Sequence, residues 1–187
     1  MAPSHRAWWL LAIAIVAALL PATPAAQDAA PAIDLRKSVQ KALDKRWKAW
    51  KLTPLTCRND GQPGAAAAIV DGDYNSDGYM DAAFAITTDK GSRLVVALNR
   101  IDDVEIYDVD ALPADGGVSV QLRKRGTKYF RKGITVDQYF GADALTVSPC
   151  AGSGDVAAYS YTGTGFRREV IVGGAGGAGG QTRVRPL

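Results

Sequence analysis

Histidine is almost absent from this 187-residue chain. The only one, His5, lies in an N-terminal segment that has the pattern of an export signal. A mature chain without histidine excludes Ser–His–Asp and Cys–His catalysis and zinc sites with imidazole ligands. The catalytic groups that remain are carboxylates, lysine, tyrosine and a bound metal.

Cysteine is nearly as scarce, with Cys57 and Cys150 as the two residues. They stand far apart in the chain, and neither has a C-x-x-C spacing or a neighbouring basic cluster of the kind that activates a thiol. In an oxidising compartment an isolated pair is most simply one structural disulfide, which we predict here. A redox-active pair or a free nucleophile is the alternative.

Long apolar runs are also missing. The longest, residues 7–20, has 14 residues, whereas a helix that spans a bilayer needs about 20. It follows Arg6 and precedes residues 21–27, which supply the prolines and small residues that a signal peptidase needs. We therefore predict an export signal over residues 1–26 and a linker over 27–33. The mature chain is then periplasmic or secreted and has no stable membrane span. A retained membrane anchor is the alternative.

Neither sign of charge is in clear excess. The chain has 22 Lys and Arg against 19 Asp and Glu, and Arg6 leaves with the signal. This balance gives no global field that would dictate a polyanionic partner, so nucleic acid is not an expected partner. The densest basic run interleaves with Tyr129 and Phe130 and consists of Arg123, Lys124, Arg125, Lys128, Arg131 and Lys132. It indicates either a patch for anionic polymers or, as we favour, the solvated end of a strand whose cations protect an exposed edge.

The apolar pattern has a helical period only near the N-terminus. Residues 34–51 are predicted as one amphipathic helix with Asp34 as its N-cap. Its apolar stripe consists of Leu35, Val39, Leu43, Trp47 and Trp50. The seven Lys and Arg residues of the segment would form a solvated face, although a membrane-surface or nucleic-acid-binding helix is the alternative.

From residue 65 onward the period changes to two. Short runs predict strands at residues 66–71, 82–87, 93–99, 103–109, 118–122, 145–147, 157–161 and 166–172. Tight turns connect several of them, and parallel strands would need long crossovers. We therefore predict a mainly β fold over residues 34–172, an antiparallel meander or sandwich with one N-terminal helix. Residues 173–187 begin with a Gly/Ala repeat and are predicted to be a disordered tail.

The segment that carries chemistry is residues 71–84. Oxygen-bearing side chains stand at loop positions one, three, five and nine, as Asp73, Asn75, Asp77 and Asp81, with Gly78 at position six. Ca²⁺ prefers six to eight hard oxygen ligands, and the glycine permits a bend that brings in the backbone carbonyl of Tyr79. Position twelve is Phe84 instead of the bidentate glutamate of an EF-hand, and β runs flank the loop. The alternative is a polar turn that binds no ion.

Residues 72–86, followed by 94–99, resemble one FG-GAP or VCBS-type repeat, the calcium-loop unit of integrin-type β-propellers and of many exported bacterial proteins. The resemblance implies side-chain ligation by Asp73, Asn75, Asp77 and Asp81 and backbone ligation by Tyr79. A propeller needs several blades, and the chain has one copy, so a closed propeller is not expected. More weakly, the remainder is similar to small exported bacterial proteins of unknown function that end in a Tyr-rich hairpin such as residues 157–172.

Two functional hypotheses follow from these features. The first is a non-enzymatic, exported domain with a structural Ca²⁺, which binds an unknown protein or envelope polymer as an adhesion, inhibitor or envelope-binding module. The second is an envelope hydrolase for a glycan or phosphate ester. Its carboxylates could come from Asp102, Asp103, Asp108 and Asp110. We favour the first, because turns use Asp for local hydrogen bonds and the mature chain offers no histidine.

Overall fold

The structure is a computed structural model that describes residues 35–57, 63–66, 69–114, 117–150 and 155–172. Its one described helix is α1 (Lys37–Arg46), which precedes all of the strands. The described strands are β1 (Trp50–Leu52), β2 (Leu55–Cys57), β3 (Pro63–Ala66), β4 (Ile69–Gly72), β5 (Asp81–Thr88), β6 (Gly91–Asn99), β7 (Val104–Ala111), β8 (Val118–Arg123), β9 (Lys128–Tyr129), β10 (Gln138–Tyr139), β11 (Ala144–Pro149), β12 (Val156–Tyr161) and β13 (Phe166–Ile171).

The first sheet has five strands in the order β1-β5-β6-β7, with β4 also paired to β5. β4 pairs with the first half of β5, as in Ile69 opposite Phe84. β1 pairs with the second half, as in Leu52 opposite Ile86. All of these pairings are antiparallel, which agrees with the short connections between the strands.

The second sheet has the order β13-β12-β11-β8 and is also antiparallel. It faces the first sheet, and side chains from both sheets form the main apolar core. Ala83, Ala85 and Leu94 of the first sheet lie in one buried cluster with Val120 and Leu145 of the second. The predicted mainly β, antiparallel fold with one helix is therefore confirmed, and the described strands do not close into a barrel.

The central strands of the first sheet are buried on both faces. Phe84, Ile86 and Val95 point away from the sandwich and pack in a second cluster with Val39 and Leu43 of α1. This explains why β5 and β6 appear in the sequence as nearly continuous apolar runs, since a strand covered on both sides has no polar face.

A small hairpin of β9 and β10 covers the outer face of the second sheet. Tyr129 stacks on Phe140 with ring centroids 4.3 Å apart, and Phe140 packs in a third cluster with Ala144, Ala158 and Ile171. The molecule therefore has four layers: helix, sheet, sheet and hairpin.

The predicted helix is too long. α1 ends at Arg46, Trp47 is extended with φ −128° and ψ 128°, and Trp50 begins β1. The physical reason is that residues 50–52 pair with β5, which requires an extended backbone. Trp47 and Trp50 still pack in the cluster under the helix, so the apolar pattern correctly indicated that they face the core but not that their backbone is extended.

The start of the helix also differs from the prediction. Arg36 is the N-cap and makes no side-chain capping hydrogen bond, so Asp34 is not the cap. Residues 1–34 and 173–187 lie outside the described residues, and the predicted export signal, linker and tail fall within them. Within the described ranges, no helix is long and apolar enough to cross a membrane.

The predicted disulfide between Cys57 and Cys150 is present. Their Cα atoms are 5.3 Å apart, and the bond joins the end of β2 to the residue that follows β11. In the chain-entropy account, closing a loop of this length stabilises a fold by about 4 kcal/mol. The disulfide therefore attaches the short β2–β3 hairpin to the second sheet.

Candidate metal centre

The predicted calcium loop is the connection between β4 and β5. Gly72 pairs with Asp81 at the base of this hairpin, so the two ends of the connection lie side by side. The structure thus places all five predicted ligands in one closed loop at one end of the sandwich. Those residues are Asp73, Asn75, Asp77, Tyr79 and Asp81.

A left-handed backbone bends the loop at two positions. Gly78 has φ +86°, which is accessible to glycine at little cost, and Ser76 has φ 59°. A Cβ at Gly78 would meet no atom within 4 Å. The glycine is therefore needed for its backbone angle and not for space, as expected at position six of such a loop.

The polar side chains at positions one, three and five fold back onto the loop. The carboxylate of Asp73 accepts hydrogen bonds of 3.1 Å from the backbone N–H groups of Asp77 and Gly78. Asn75 Oδ1 accepts one from the N–H of Asp77 at 3.1 Å. Asp77 Oδ1 accepts one from the N–H of Tyr79 at 2.8 Å, and Asp77 Oδ2 accepts one from Asn75 Nδ2 at 2.7 Å. These bonds hold the oxygen atoms on the inner side of the bend.

Asp81 is the buried member of the set, with 1% of its surface exposed. Its Oδ2 accepts a hydrogen bond from the N–H of Tyr74 at 2.9 Å, and its Oδ1 accepts one from the N–H of Asn99 at 2.8 Å. The pKa of Asp81 is raised to about 6: burial is the largest cause, the two N–H donors oppose it, and the charges of Asp77 and Asp73 add to the rise. The three carboxylates are therefore close enough to repel one another.

Tyr74 anchors the loop in the main core. Its side chain is fully buried, and its hydroxyl donates a hydrogen bond of 2.8 Å to the backbone carbonyl of Val70. Its ring meets Phe166 edge-on, with centroids 6.4 Å apart. Gly72 makes room for this ring, because a Cβ there would lie 3.0 Å from it and 2.8 Å from Leu122 of the second sheet.

Asp143 is a residue of the site that sequence reasoning missed. Its Oδ2 accepts hydrogen bonds from the N–H of Asp73 at 3.1 Å and from Lys124 Nζ at 2.8 Å, and its Oδ1 accepts one from the N–H of Arg125 at 3.0 Å. Burial acts to raise the pKa of Asp143, but these donors outweigh it and hold the pKa below its usual value. Asp143 is 70 positions from the loop and stands in no motif, so no local signal could have identified it.

The donor chemistry of the loop fits a hard cation. Three carboxylates, one amide oxygen and one backbone carbonyl are the ligand types that Ca²⁺ takes. Among the residues that the structure describes, no three Asp, Glu, His or Cys side chains converge as a ready metal cluster. The loop carboxylates instead turn toward backbone N–H groups. Calcium binding by this loop therefore stays a prediction.

The basic run is largely paired with acids of the same chain. Lys124 pairs with Asp143 at 2.8 Å, Lys128 with Asp137 at 2.6 Å and Lys132 with Asp155 at 2.7 Å. Arg131 lies 3.8 Å from Glu169. The remaining two members, Arg123 and Arg125, stand at the end of β8 and in the turn after it. Pairing of four of the six cations reduces the field that a polyanion would meet.

Three of the four carboxylates considered for hydrolysis have structural partners. Asp108 forms an ion pair with Arg93 at 2.8 Å. Asp110 accepts a hydrogen bond from the hydroxyl of Tyr159. Asp102 and Asp103 lie in the turn between β6 and β7, where Asp103 accepts a bond from the next N–H. These contacts give Asp103, Asp108 and Asp110 a role in stabilising the strand and its turn.

Comparison with protein-family models, with curated proteins and with solved structures finds no match to this chain. What the chain does is therefore argued from the geometry of its own residues.

Proposed function

We propose that this chain is an exported, non-enzymatic binding module in which the loop at residues 73–81 holds one structural Ca²⁺. The observation that carries the proposal is the buried carboxylate of Asp81, which stands beside Asp73 and Asp77 at a left-handed bend. Together these three side chains carry a formal charge of −3, which a divalent cation would neutralise.

The neighbouring cation, Lys124, does not neutralise these three carboxylates. Lys124, which approaches the loop through Asp143, is already paired with that residue. Asp81 receives two backbone N–H groups, yet the pKa of its carboxyl is still raised to about 6. A carboxylate oxygen can accept more than one interaction, so the oxygens that accept N–H groups keep the capacity to bind a cation.

A bound ion would stabilise the fold rather than perform a reaction. Through Asp81, the ion would be connected to the N–H of Asn99 at the end of β6. Through Asp73, it would be connected to Asp143, which directly precedes β11 of the second sheet. Both sheets would thus be linked at one end of the sandwich. Two of the other candidate carboxylates are held in ion pairs, Asp108 with Arg93 and Asp110 with Arg168, which supports a binding role over hydrolysis.

Thermal unfolding with and without calcium tests this proposal. The oxidised full chain is stripped of metal, and its melting curve is recorded in EDTA and in Ca²⁺. At ten times Kd, one site that binds the folded state alone adds about 1.4 kcal/mol. The Asp73→Asn and Asp77→Asn variants should lose most of that gain.

The matched control is Asp137→Asn, which removes an exposed carboxylate paired with Lys128 and should keep the full calcium effect. Identical curves for metal-free and calcium-loaded wild-type protein would refute the proposal. A panel of glycan and phosphate-ester substrates checks the non-enzymatic part, for which we expect no turnover that depends on calcium.

A further inference from the structure

Exposed apolar side chains concentrate on the β9–β10 hairpin. Eight large apolar residues are exposed among those that the structure describes, and five of them belong to this hairpin or touch its backbone. We call these five the hairpin surface: Phe130, Ile134, Val136, Tyr139 and Val172. Soluble proteins seldom leave several large apolar groups exposed together without a partner for them.

Strand pairing places much of this surface on one face. Tyr139 stands directly opposite Lys128, and the ammonium of Lys128 lies 5.0 Å from the centre of the Phe130 ring. Val172 donates its N–H to the carbonyl of Phe130 at 2.9 Å, beside the bridge between Arg131 and Ile171. Val136 and Ile134 lie in the connection between the two strands.

The opposite face of the hairpin is already used. Tyr129 and Phe140 alternate with the exposed residues and pack inward against the second sheet. Packing of the fold therefore accounts for the inner face but leaves the outer aromatic and aliphatic groups unexplained.

Cations accompany the exposed apolar groups. Residues 123–139 contain six basic side chains and one acidic side chain, Asp137. The pair of Lys128 with Asp137 and the pair of Lys132 with Asp155 are both about half exposed. Exposed ion pairs contribute little, so a stronger anion can replace the carboxylate at small cost.

We propose that the hairpin surface docks on an anionic lipid bilayer. An anionic polymer would use the cations but would leave Phe130, Val136 and Tyr139 in water. A neutral apolar partner would use those three residues but would gain nothing from the cations. A bilayer with acidic headgroups offers phosphate to the cations and an apolar boundary to the rings and aliphatic groups, which matches both features.

This inference rests on the proposed function only for the export of the chain, which would place it next to a membrane. It does not require calcium, because none of the residues of the hairpin surface is a predicted ligand. Failure of lipid binding and failure of calcium binding are therefore distinguishable in the same preparation.

Vesicle sedimentation tests the docking surface. The full chain is produced with its export signal and purified after processing, with the N-terminus identified by mass spectrometry. It is mixed with vesicles of phosphatidylcholine alone or with about one third phosphatidylglycerol, in EDTA and in Ca²⁺. We expect binding at least about tenfold tighter to the anionic vesicles, weakened by raising the salt from about 0.1 M to about 0.5 M.

Two variants separate the two contributions. The triple change Phe130→Ser, Val136→Ser and Tyr139→Ser should weaken binding to anionic vesicles about tenfold or more while leaving the thermal midpoint nearly unchanged, since these groups face solvent. The double change Lys128→Gln and Lys132→Gln should weaken it by a similar factor and reduce its dependence on salt.

Matched controls lie elsewhere on the molecule. Ile101 is 78% exposed in the β6–β7 turn, and Lys41 and Lys45 are exposed on α1. The variants Ile101→Ser and Lys41→Gln/Lys45→Gln should bind the anionic vesicles like wild type. An equal loss in these controls would overturn the proposal, because the effect would then not belong to the hairpin.

Other outcomes would also overturn it. The proposal fails if folded wild-type protein does not sediment with anionic vesicles. If the wild-type protein then self-associates and the triple variant does not, the surface is assigned to a second copy of the chain. If polyphosphate abolishes vesicle binding and the triple variant still binds the vesicles, the partner is an anionic polymer instead. If calcium still stabilises the protein in either case, only the lipid inference falls.

Discussion

The substitution Asp81→Asn isolates the electrostatic cost at the centre of the loop. Asp81 is 1% exposed, and its pKa is raised from 3.8 to about 6, mainly by burial and to a smaller extent by the charges of Asp77 and Asp73. A carboxyl whose folded pKa is raised stabilises the fold below its unfolded pKa, and this contribution is lost as the pH rises through about 6. A shift of this size corresponds to at most about 3 kcal/mol.

The variant should therefore flatten the pH dependence of the metal-free protein. Between pH of about 4 and about 7.5, wild-type protein should lose up to about 3 kcal/mol relative to Asp81→Asn. The side-chain NH₂ of the asparagine must also face one of the two backbone N–H donors, that of Tyr74 or that of Asn99. This lowers the free energy of unfolding by about 1–3 kcal/mol at every pH. The test therefore compares how the free energy of unfolding changes with pH in the two proteins, and not its absolute value.

Urea unfolding in EDTA at a series of pH values measures this slope. Asp143 acts in the opposite direction, because its pKa is lowered and its contribution is lost as the pH falls. It is present in both proteins and cancels in the comparison. Parallel pH profiles for wild type and Asp81→Asn would contradict this expectation, since the buried charge would then cost nothing.

Two further predictions concern the supports of the loop, and a third concerns the disulfide. Gly72→Ala should destabilise the protein by about 1–3 kcal/mol in chemical denaturation, because the new Cβ would lie 2.8 Å from Leu122, whereas an unchanged midpoint would show that the side chain yields freely. Tyr74→Phe should cost about 1–2 kcal/mol in the same assay, since it leaves the carbonyl of Val70 without the hydroxyl donor; equal stability would contradict the buried bond. Reduction of the disulfide should cost about 2–4 kcal/mol, measured by melting with and without reductant, and no change would mean that the bridge is dispensable.

Most of the architecture was predictable because the apolar period follows burial. The change of period after the helix identified the strands from β4 to β8 and from β11 to β13. The short strands β1, β2, β3, β9 and β10 were missed, since two to four residues are too few to show a period. Trp50 illustrates the limit: its spacing fits a helix, but pairing with β5 determines an extended backbone.

The candidate site was predictable only as far as it is local. The alternation of Asp73, Asn75 and Asp77 with Gly78 indicates the bend directly, and the structure has that bend. The attachment of the loop to the second sheet depends on Asp143, a distant residue with no motif of its own. The hydrogen bond of Asp81 to the N–H of Asn99, at the end of β6, is likewise a long-range contact that no short pattern encodes.

The central claim is that the loop at residues 73–81 binds one Ca²⁺. Isothermal titration calorimetry of the oxidised, metal-free chain measures it most directly, with Mg²⁺ as the competing ion and Asp73→Asn as the control variant. We expect one calcium site with Kd of about 10⁻⁴–10⁻³ M or tighter, weaker binding of Mg²⁺ and loss of the heat in the variant. No calcium heat from folded wild-type protein, or the same heat in the variant, would contradict it.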